Sequence, residues 1–236
     1  NQIYNLMVCH QTIGNYQTAY SYADKLKSFP QLKNDSGQLP IQLYKTLYPF
    51  HYADEIIKNA KDYNIDPLFV AAMIREESRY NADVVSPAGA RGLMQVMVPT
   101  GRVIAKKIKF PDFKGEMLFD PKVNIQFGTW YMSDLMRQFN NNYSLVAGAY
   151  NGGPTRIKGW LQKAKPEKVE ALSQATIISQ IDMDEFVENI PIDETRRHIK
   201  KVMDSYSIYR YLYGKVVNDF EIKQLDVSIT PELSYK

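Results

Sequence analysis

Several residue types that announce a function class are nearly missing from this chain. Its 236 residues include one cysteine, Cys9, and three histidines. An intrachain disulfide and a Cys-Cys metal knuckle are therefore both excluded. His10, His51 and His198 stand far apart without ligand spacing, so the sequence carries no metal-binding motif. No run of roughly 18 apolar residues is present to span a bilayer, and no signal peptide is recognisable. Net charge is only +3. That excess is too small to point to nucleic acid, though it is compatible with an anionic polymer. Tryptophan is scarce too, two residues against seventeen tyrosines and ten phenylalanines, an aromatic set suited to contact surfaces as well as core. The apolar share of 44% is that of a globular chain and argues against global disorder. The first residue is Asn1, inside a helical pattern, so the chain reads as a fragment or processed product.

What is present is helical periodicity broken by turn chemistry. Residues 1–27 predict two short helices around Ile13-Gly14-Asn15, resembling one unit of a helical-repeat array. Residues 28–40 are polar and turn-rich and make a boundary, 41–50 are aromatic-rich, and 52–63 predict an amphipathic helix. Asp66-Pro67 and Asp120-Pro121 each pair an N-cap with proline at the first helical position. The second opens a long helix to about Phe139, ended by Asn140-Asn141-Asn142. A short helix over Ser144–Tyr150 is expected to stop at Asn151-Gly152-Gly153-Pro154, with Pro154 opening the next through about Lys163. Asp184–Asn189 predicts a brief helix, and Asp193 caps a long one to Tyr213 with Gly214 as its stop. The last 22 residues alternate weakly and read as a tail or a small β element. The expected fold is mainly α, divided into 1–50, a compact domain over 51–214, and a tail over 215–236.

Inside the Asp66-Pro67 helix one residue is out of place. At about 100° per residue, Phe69, Val70, Met73 and Ile74 form an apolar face and Glu77 falls near its middle. Glu76 lies at the edge of that face and Arg75 well away. A desolvated carboxylate must be protonated, paired or catalytic. Glu77 needs such an explanation where Glu76 does not. Beyond the helix comes Ser86-Pro87-Ala88-Gly89-Ala90-Arg91-Gly92, small residues that let a loop approach a ligand, then Leu93-Met94-Gln95-Val96-Met97. Ala149-Tyr150-Asn151-Gly152-Gly153-Pro154 places a ring and an amide at a helix end. Glu185-Phe186-Val187-Glu188-Asn189-Ile190-Pro191 is followed by Glu194-Thr195-Arg196. Each alone has an ordinary structural reading.

In chain order, these pieces closely resemble the catalytic domain of the soluble lytic transglycosylases, within the goose-type lysozyme-like superfamily. The matching stretch covers roughly residues 64–214. Its carriers are Glu-Ser, Ser-Pro-x-Gly-Ala-x-Gly-Leu-Met-Gln-x-Met, Ala-Tyr-Asn-x-Gly-Pro, Phe-Val-Glu-x-Ile-Pro and Glu-Thr-Arg. The resemblance implies a lysozyme-like helical domain that cleaves the β-1,4 bond between N-acetylmuramic acid and N-acetylglucosamine, releasing a 1,6-anhydromuramoyl end. It implies no cofactor and no metal. Glu77, the Glu immediately before Ser78, matches the catalytic acid. Ser86, Gln95 and Met97 match positions lining the saccharide cleft, Tyr150 the active-site tyrosine, and Asn151 its neighbour. Glu188 matches a position near bound substrate. Residues 1–50 resemble more loosely the last helices of the superhelical domain preceding the catalytic domain. The implied partners are peptidoglycan strands and cell-envelope proteins reached through those helices, with the bacterial periplasm or envelope as location.

Two departures stand out. Val98-Pro99-Thr100-Gly101 replaces the usual Pro-x-Thr-Ala, with proline one place late. His198 stands where the family usually has tyrosine, which touches local packing or substrate contact at that point, not the chemistry. Between Ser78 and Pro111 the only acidic residue is Asp83, so a single-Glu mechanism fits, while a distant second carboxylate stays open from sequence. Tyr150 is expected to orient the substrate's acetamido group or to hold Glu77. The rival expectations are a hydrolytic muramidase of the same fold, a non-enzymatic wall-binding scaffold and a helical-repeat interaction protein.

Overall fold

The computed structural model describes residues 2–34, 37–164, 173–215 and 217. Helices α1 (Gln2–Thr12) and α2 (Tyr16–Leu26) form on either side of Gly14, whose φ of +77° makes the turn. Asn15 caps α2 by accepting from the Thr18 N–H. The chain then runs through a 3₁₀ turn at Pro30–Leu32 into α3 (Ile41–Leu47) and α4 (Ala53–Asp62). Met7, Ala19, Ala23, Leu26, Leu43 and Leu47 bury one another as a small cluster, joined by Leu32 and Leu39 from the turn-rich stretch between α2 and α3.

From Ile56 onward a larger core takes over. Asp66 accepts from the Leu68 N–H at 2.8 Å and Pro67 starts α5 (Pro67–Ser78). A strand pair follows, β1 (Ala90–Arg91) antiparallel to β2 (Val96–Met97), then α6 (Val98–Ile108). Asp120 repeats the capping geometry for α7 (Pro121–Gln138). The remaining helices are α8 (Tyr143–Gly152), α9 (Pro154–Ala164), α10 (Gln174–Gln180), α11 (Met183–Glu188) and α12 (Asp193–Tyr213). Among the described residues the protein is mainly α, with twelve α-helices and this one two-stranded sheet.

Helix α5 is the central element. It packs on α12 and α4, and every residue from Pro67 to Ile74 is buried. The expected single apolar stripe is therefore replaced by burial on all sides of its first two turns. Leu68, Phe69, Val70, Met73 and Ile74 each contribute roughly 1.5–3 kcal/mol by leaving water, on the order of 10 kcal/mol together. That fixes the helix end bearing Glu77 as rigid scaffold.

Three other expectations are corrected. Helix α8 runs through Asn151 and Gly152 instead of stopping at Tyr150, because the left-handed turn falls at Gly153 (φ +88°). Asp193 is the first residue of α12 and not its cap; its carboxylate pairs with Arg196 and Arg197 instead. Gly214 is right-handed (φ −56°), so it ends α12 without a left-handed cap. A strand pair forms in the loop after Glu77, and the expected C-terminal tail or small β element falls mostly on residues 218–236, outside the described residues. At the departure after Met97, Pro99 sits in the first turn of α6 and Gly101 allows a close approach: a Cβ there would stand 2.7 Å from the Phe113 ring.

The two clusters are stitched together at three successive carbonyls. Arg75 Nε donates to Leu47 O at 2.9 Å, Tyr213 to Tyr48 O at 2.8 Å, and Tyr209 to Pro49 O at 2.7 Å. The Arg75 guanidinium lies 3.9 Å from the Tyr48 ring centroid, donates to Ser205 Oγ, and pairs with Glu76. Ser205 in turn donates to Glu76 Oε1 at 2.5 Å. Glu76 is thus buried to the same degree as Glu77, 11% against 15% side-chain exposure. It does need an explanation, and Arg75 is that explanation. Arg75→Met would leave a buried carboxylate without its counter-charge. We expect a loss of about 3–5 kcal/mol in urea unfolding at neutral pH, and a loss under about 1 kcal/mol would mean the pair contributes little.

Candidate active site

Glu77 occupies the last turn of α5, where the helix is about to leave the core. Burial raises its carboxyl to about 8, and the charges of Glu76 and Glu194 push the same way. It is a protonated acid at neutral pH, held on a rigid helix.

The loop after it is built by backbone hydrogen bonds. Ser86 Oγ accepts from the Ala90 N–H at 3.0 Å and closes the turn before β1. Gln95, in the left-handed region at φ +48°, turns its amide back and donates to Gly92 O at 2.9 Å and Val84 O at 3.2 Å. Met97 ends β2 with its side chain 37% exposed. Tyr150 donates its hydroxyl to Met94 O at 2.8 Å, and its ring lies 5.4 Å from that of Tyr131. Burial, then the charge of Glu77, raises the Tyr150 phenol well above its ordinary range. Tyr150 is therefore within electrostatic reach of the acid, while its proton is committed to the loop. Tyr150→Phe removes a buried donor and leaves Met94 O unpaired, at about 1–3 kcal/mol. The expected result is lower kcat with nearly unchanged substrate binding; unchanged kcat would count against a role at the site.

Asn151 accepts from Thr195 Oγ1 at 2.8 Å, so the tyrosine turn and the Glu-Thr-Arg stretch meet at this contact. Arg196 donates to Ile190 O at 2.9 Å, tying the Phe-Val-Glu-Asn-Ile stretch to the same helix end. Glu188 is 62% exposed and paired with Lys200 at 2.5 Å. Among the described residues no hydrogen bond or ion pair joins it to Glu77, Gln95 or Tyr150. Three or more His, Cys, Asp or Glu side chains do not gather as a metal site among the described residues. No helix there is long and apolar enough to cross a membrane.

Residues 54–172 match the family model described as the transglycosylase SLT domain. The chain belongs to this family. It is 34% identical over 169 residues to the soluble lytic murein transglycosylase of Salmonella typhimurium, covering 71% of this chain and 24% of that protein. It is 30% identical over 211 residues to the membrane-bound lytic murein transglycosylase C of Edwardsiella ictaluri, covering 81% of this chain and 58% of the relative. The structure of the 70 kDa soluble lytic transglycosylase of Escherichia coli superposes with a TM-score of 0.72 at 29% identity, over 89% of this chain and 30% of that one. The chain thus spans about a quarter of the length of the soluble relatives it matches.

Two residues have roles that the sequence reading did not disclose. Asn124 is wholly buried in α7 and ties the loop to the 3₁₀ turn at Gly115–Phe119. Its Oδ1 accepts from the Met94 N–H at 2.7 Å, and its Nδ2 donates to Leu118 O at 2.6 Å and Arg91 O at 2.8 Å. Met94 is accordingly clamped on its N–H by Asn124 and on its carbonyl by Tyr150, which fixes the approach to Gln95. A polar residue beside Val123, Ile125 and Phe127 was the available signal. The second is His198, whose Nε2 lies 3.5 Å from Glu77 Oε1. Its place in sequence was noted as a departure, yet nothing there tied it to the acid.

Proposed function

We propose that this SLT domain is a peptidoglycan lytic transglycosylase, with Glu77 as sole acid and base. The observation that carries the reading is the buried Glu77 carboxyl, raised to about 8, at the end of the helix that leads into the Ser86–Met97 loop. Family membership and murein-cleaving relatives support the substrate class. Two further solved relatives agree with it. One is an inactive glutamate-to-glutamine mutant of the Pseudomonas aeruginosa enzyme (TM-score 0.70, 26% identity). The other is the 70-kDa soluble lytic transglycosylase in complex with bulgecin A (TM-score 0.73, 28% identity).

In the mechanism, Glu77 gives its proton to the glycosidic oxygen as the C1–O bond breaks. The acetamido carbonyl of N-acetylmuramic acid stabilises the electron-poor C1. Glu77, now a carboxylate, takes the proton of the muramoyl 6-hydroxyl as O6 bonds to C1. The anhydro ring closes, no water is consumed and the acid is regenerated. The other carboxylates acting on Glu77 are occupied or exposed: Glu76 is bound by Arg75 and Ser205, and Glu194 sits on the open first turn of α12. Ser86, Gln95, Met97, Tyr150 and Asn151 are assigned to the cleft wall, with Glu188 as an outlying contact. Residues 1–50 are assigned to the end of a superhelical region and 51–214 to the catalytic domain. The setting is the cell envelope, with glycan strands as substrate and envelope proteins met through α1 and α2.

The test is mass spectrometry of purified sacculi after digestion. The 1,6-anhydro product is expected. Reducing N-acetylmuramic acid would establish the muramidase instead, and intact glycan would leave the scaffold.

A further inference from the structure

His198 projects from the second turn of α12, 121 residues from Glu77 in sequence, and is slightly more enclosed than the acid, at 11% side-chain exposure against 15%. Its Nε2 is fully buried and has no hydrogen-bond partner. A buried ring nitrogen without a partner is costly to keep. Here it faces one atom of the catalytic group, Glu77 Oε1, at 3.5 Å.

We propose that His198 is a positioning residue for Glu77: its neutral imidazole, in the Nε2–H tautomer, donates to Glu77 Oε1. The proposal rests on the acid-base role of Glu77 given above. Two consequences follow for the reaction. With Oε1 engaged as acceptor, the acidic proton is carried by Oε2, the oxygen left free to meet the glycosidic bond. After transfer, the same N–H holds the new carboxylate in place for the 6-hydroxyl. His198 exchanges no proton at any stage. The 3.5 Å separation shortens when substrate closes the site, as catalytic hydrogen bonds do between free and bound enzymes.

The surrounding charges agree with a neutral donor. Burial, with Lys201 adding to it, lowers His198 to about 4. It is uncharged between about pH 4 and pH 8, where Glu77 is still protonated. The groups acting on Glu77 are Glu76 beside it on α5 and Glu194 on α12, both of which raise its pKa, while Tyr150 on α8 is coupled to its charge. None of these supplies a hydrogen-bond donor to Glu77. A donor to the charged form lowers a carboxyl pKa, so His198 restrains a shift that the other three leave unopposed.

Three measurements test this. Nitrogen-15 NMR of the unmodified protein at pH 6 to 7 reads the tautomer directly. Nε2–H is expected for His198, and Nδ1–H would overturn the proposal whatever any variant does. Carbon-13 carboxyl NMR then follows Glu77, assigned by its loss in Glu77→Gln. His198→Leu should raise the Glu77 pKa by about one unit, the scale of one lost hydrogen bond to the charged form. Lysis by that variant should fall about tenfold in kcat, with its alkaline limb displaced upward equally. His198→Gln keeps an amide N–H near the Nε2 position without titrating, and should restore both values. An unmoved Glu77 in His198→Leu, or a glutamine variant that behaves like leucine, would show His198 to be packing only. The NMR readouts need no turnover. Failure of the lytic assay in the unmodified protein would sink the proposed function, whereas the pairing would still be decided by the two spectra.

Discussion

Glu77→Gln is expected to leave a folded protein that no longer lyses peptidoglycan. The amide matches the carboxyl in size and keeps an acceptor for His198, yet it cannot give or take the proton the reaction needs. Loss of a general acid and base lowers turnover by about 10²–10⁴-fold, and residual lysis at wild-type rates would remove Glu77 from the mechanism. A second signature concerns stability. The folded carboxyl titrates near 8 and the unfolded one near 4.5. Folding therefore favours the protonated form. That contribution is complete below 4.5, erodes as pH rises between the two values, and is gone above about 8. The glutamine variant should accordingly be more stable than the parent at pH 9, by a few kcal/mol at order of magnitude, and equal to it near pH 4. Thermal unfolding at the two pH values checks this. Lysis by the parent should fall off along the same upper limb, since the acid is lost as Glu77 ionises.

Gly92→Ala should have the largest effect on the fold. Gly92 has φ +74°, and a Cβ would stand 2.2 Å from Leu118 O and 2.4 Å from Asn124 Nδ2. Both are atoms of the clamp that holds Met94. The methyl group must push apart backbone and a buried amide, neither of which has room to yield. A loss of at least about 3 kcal/mol is expected, the range of core overpacking with a broken buried network, together with loss of lysis. Gly89→Ala is the control. It has a comparable φ of +87° with nothing within 4 Å of its Cβ, so it should cost only about 1–2 kcal/mol for the left-handed conformation. Equal losses at the two glycines would mean that strain, and not the clamp, dominates.

Local chemistry was readable where a signal is complete within a few residues. Asp66-Pro67 and Asp120-Pro121 open α5 and α7 at the expected places, because capping needs only its own first turn. The helical position of Glu77 was readable as well, since a carboxylate in an apolar phase is anomalous in any tertiary setting. The position of Glu76 was misread for a related reason. Phase analysis assumes one wet face, and α5 is enclosed by α4, α12 and the chain before residue 50, so its neighbour is buried as well. Gln95 carried a motif but not its conformation; the left-handed turn arises from pairing β1 with β2. Asn124 was silent and His198 showed only as a departure, because their work is done on residues 30 and 121 positions away. The Tyr150 hydroxyl engages a backbone carbonyl that no side-chain pattern records.

The captured carbonyls of Leu47, Tyr48 and Pro49 bear on where this chain can be cut. The family match begins at residue 54, and a chain trimmed to that point would keep Glu77, the loop and α12 entire. It would also strip the acceptors from Arg75, Tyr209 and Tyr213 and the ring from beneath the guanidinium two residues before the acid. The stretch matched by the family model is shorter than the unit these bonds hold together. Load placed on the N-terminal helices reaches the helix bearing Glu77 at Arg75 and again at Arg79 O, which accepts from Gln17 at 2.9 Å, making α1 to α3 a handle on the proposed active site.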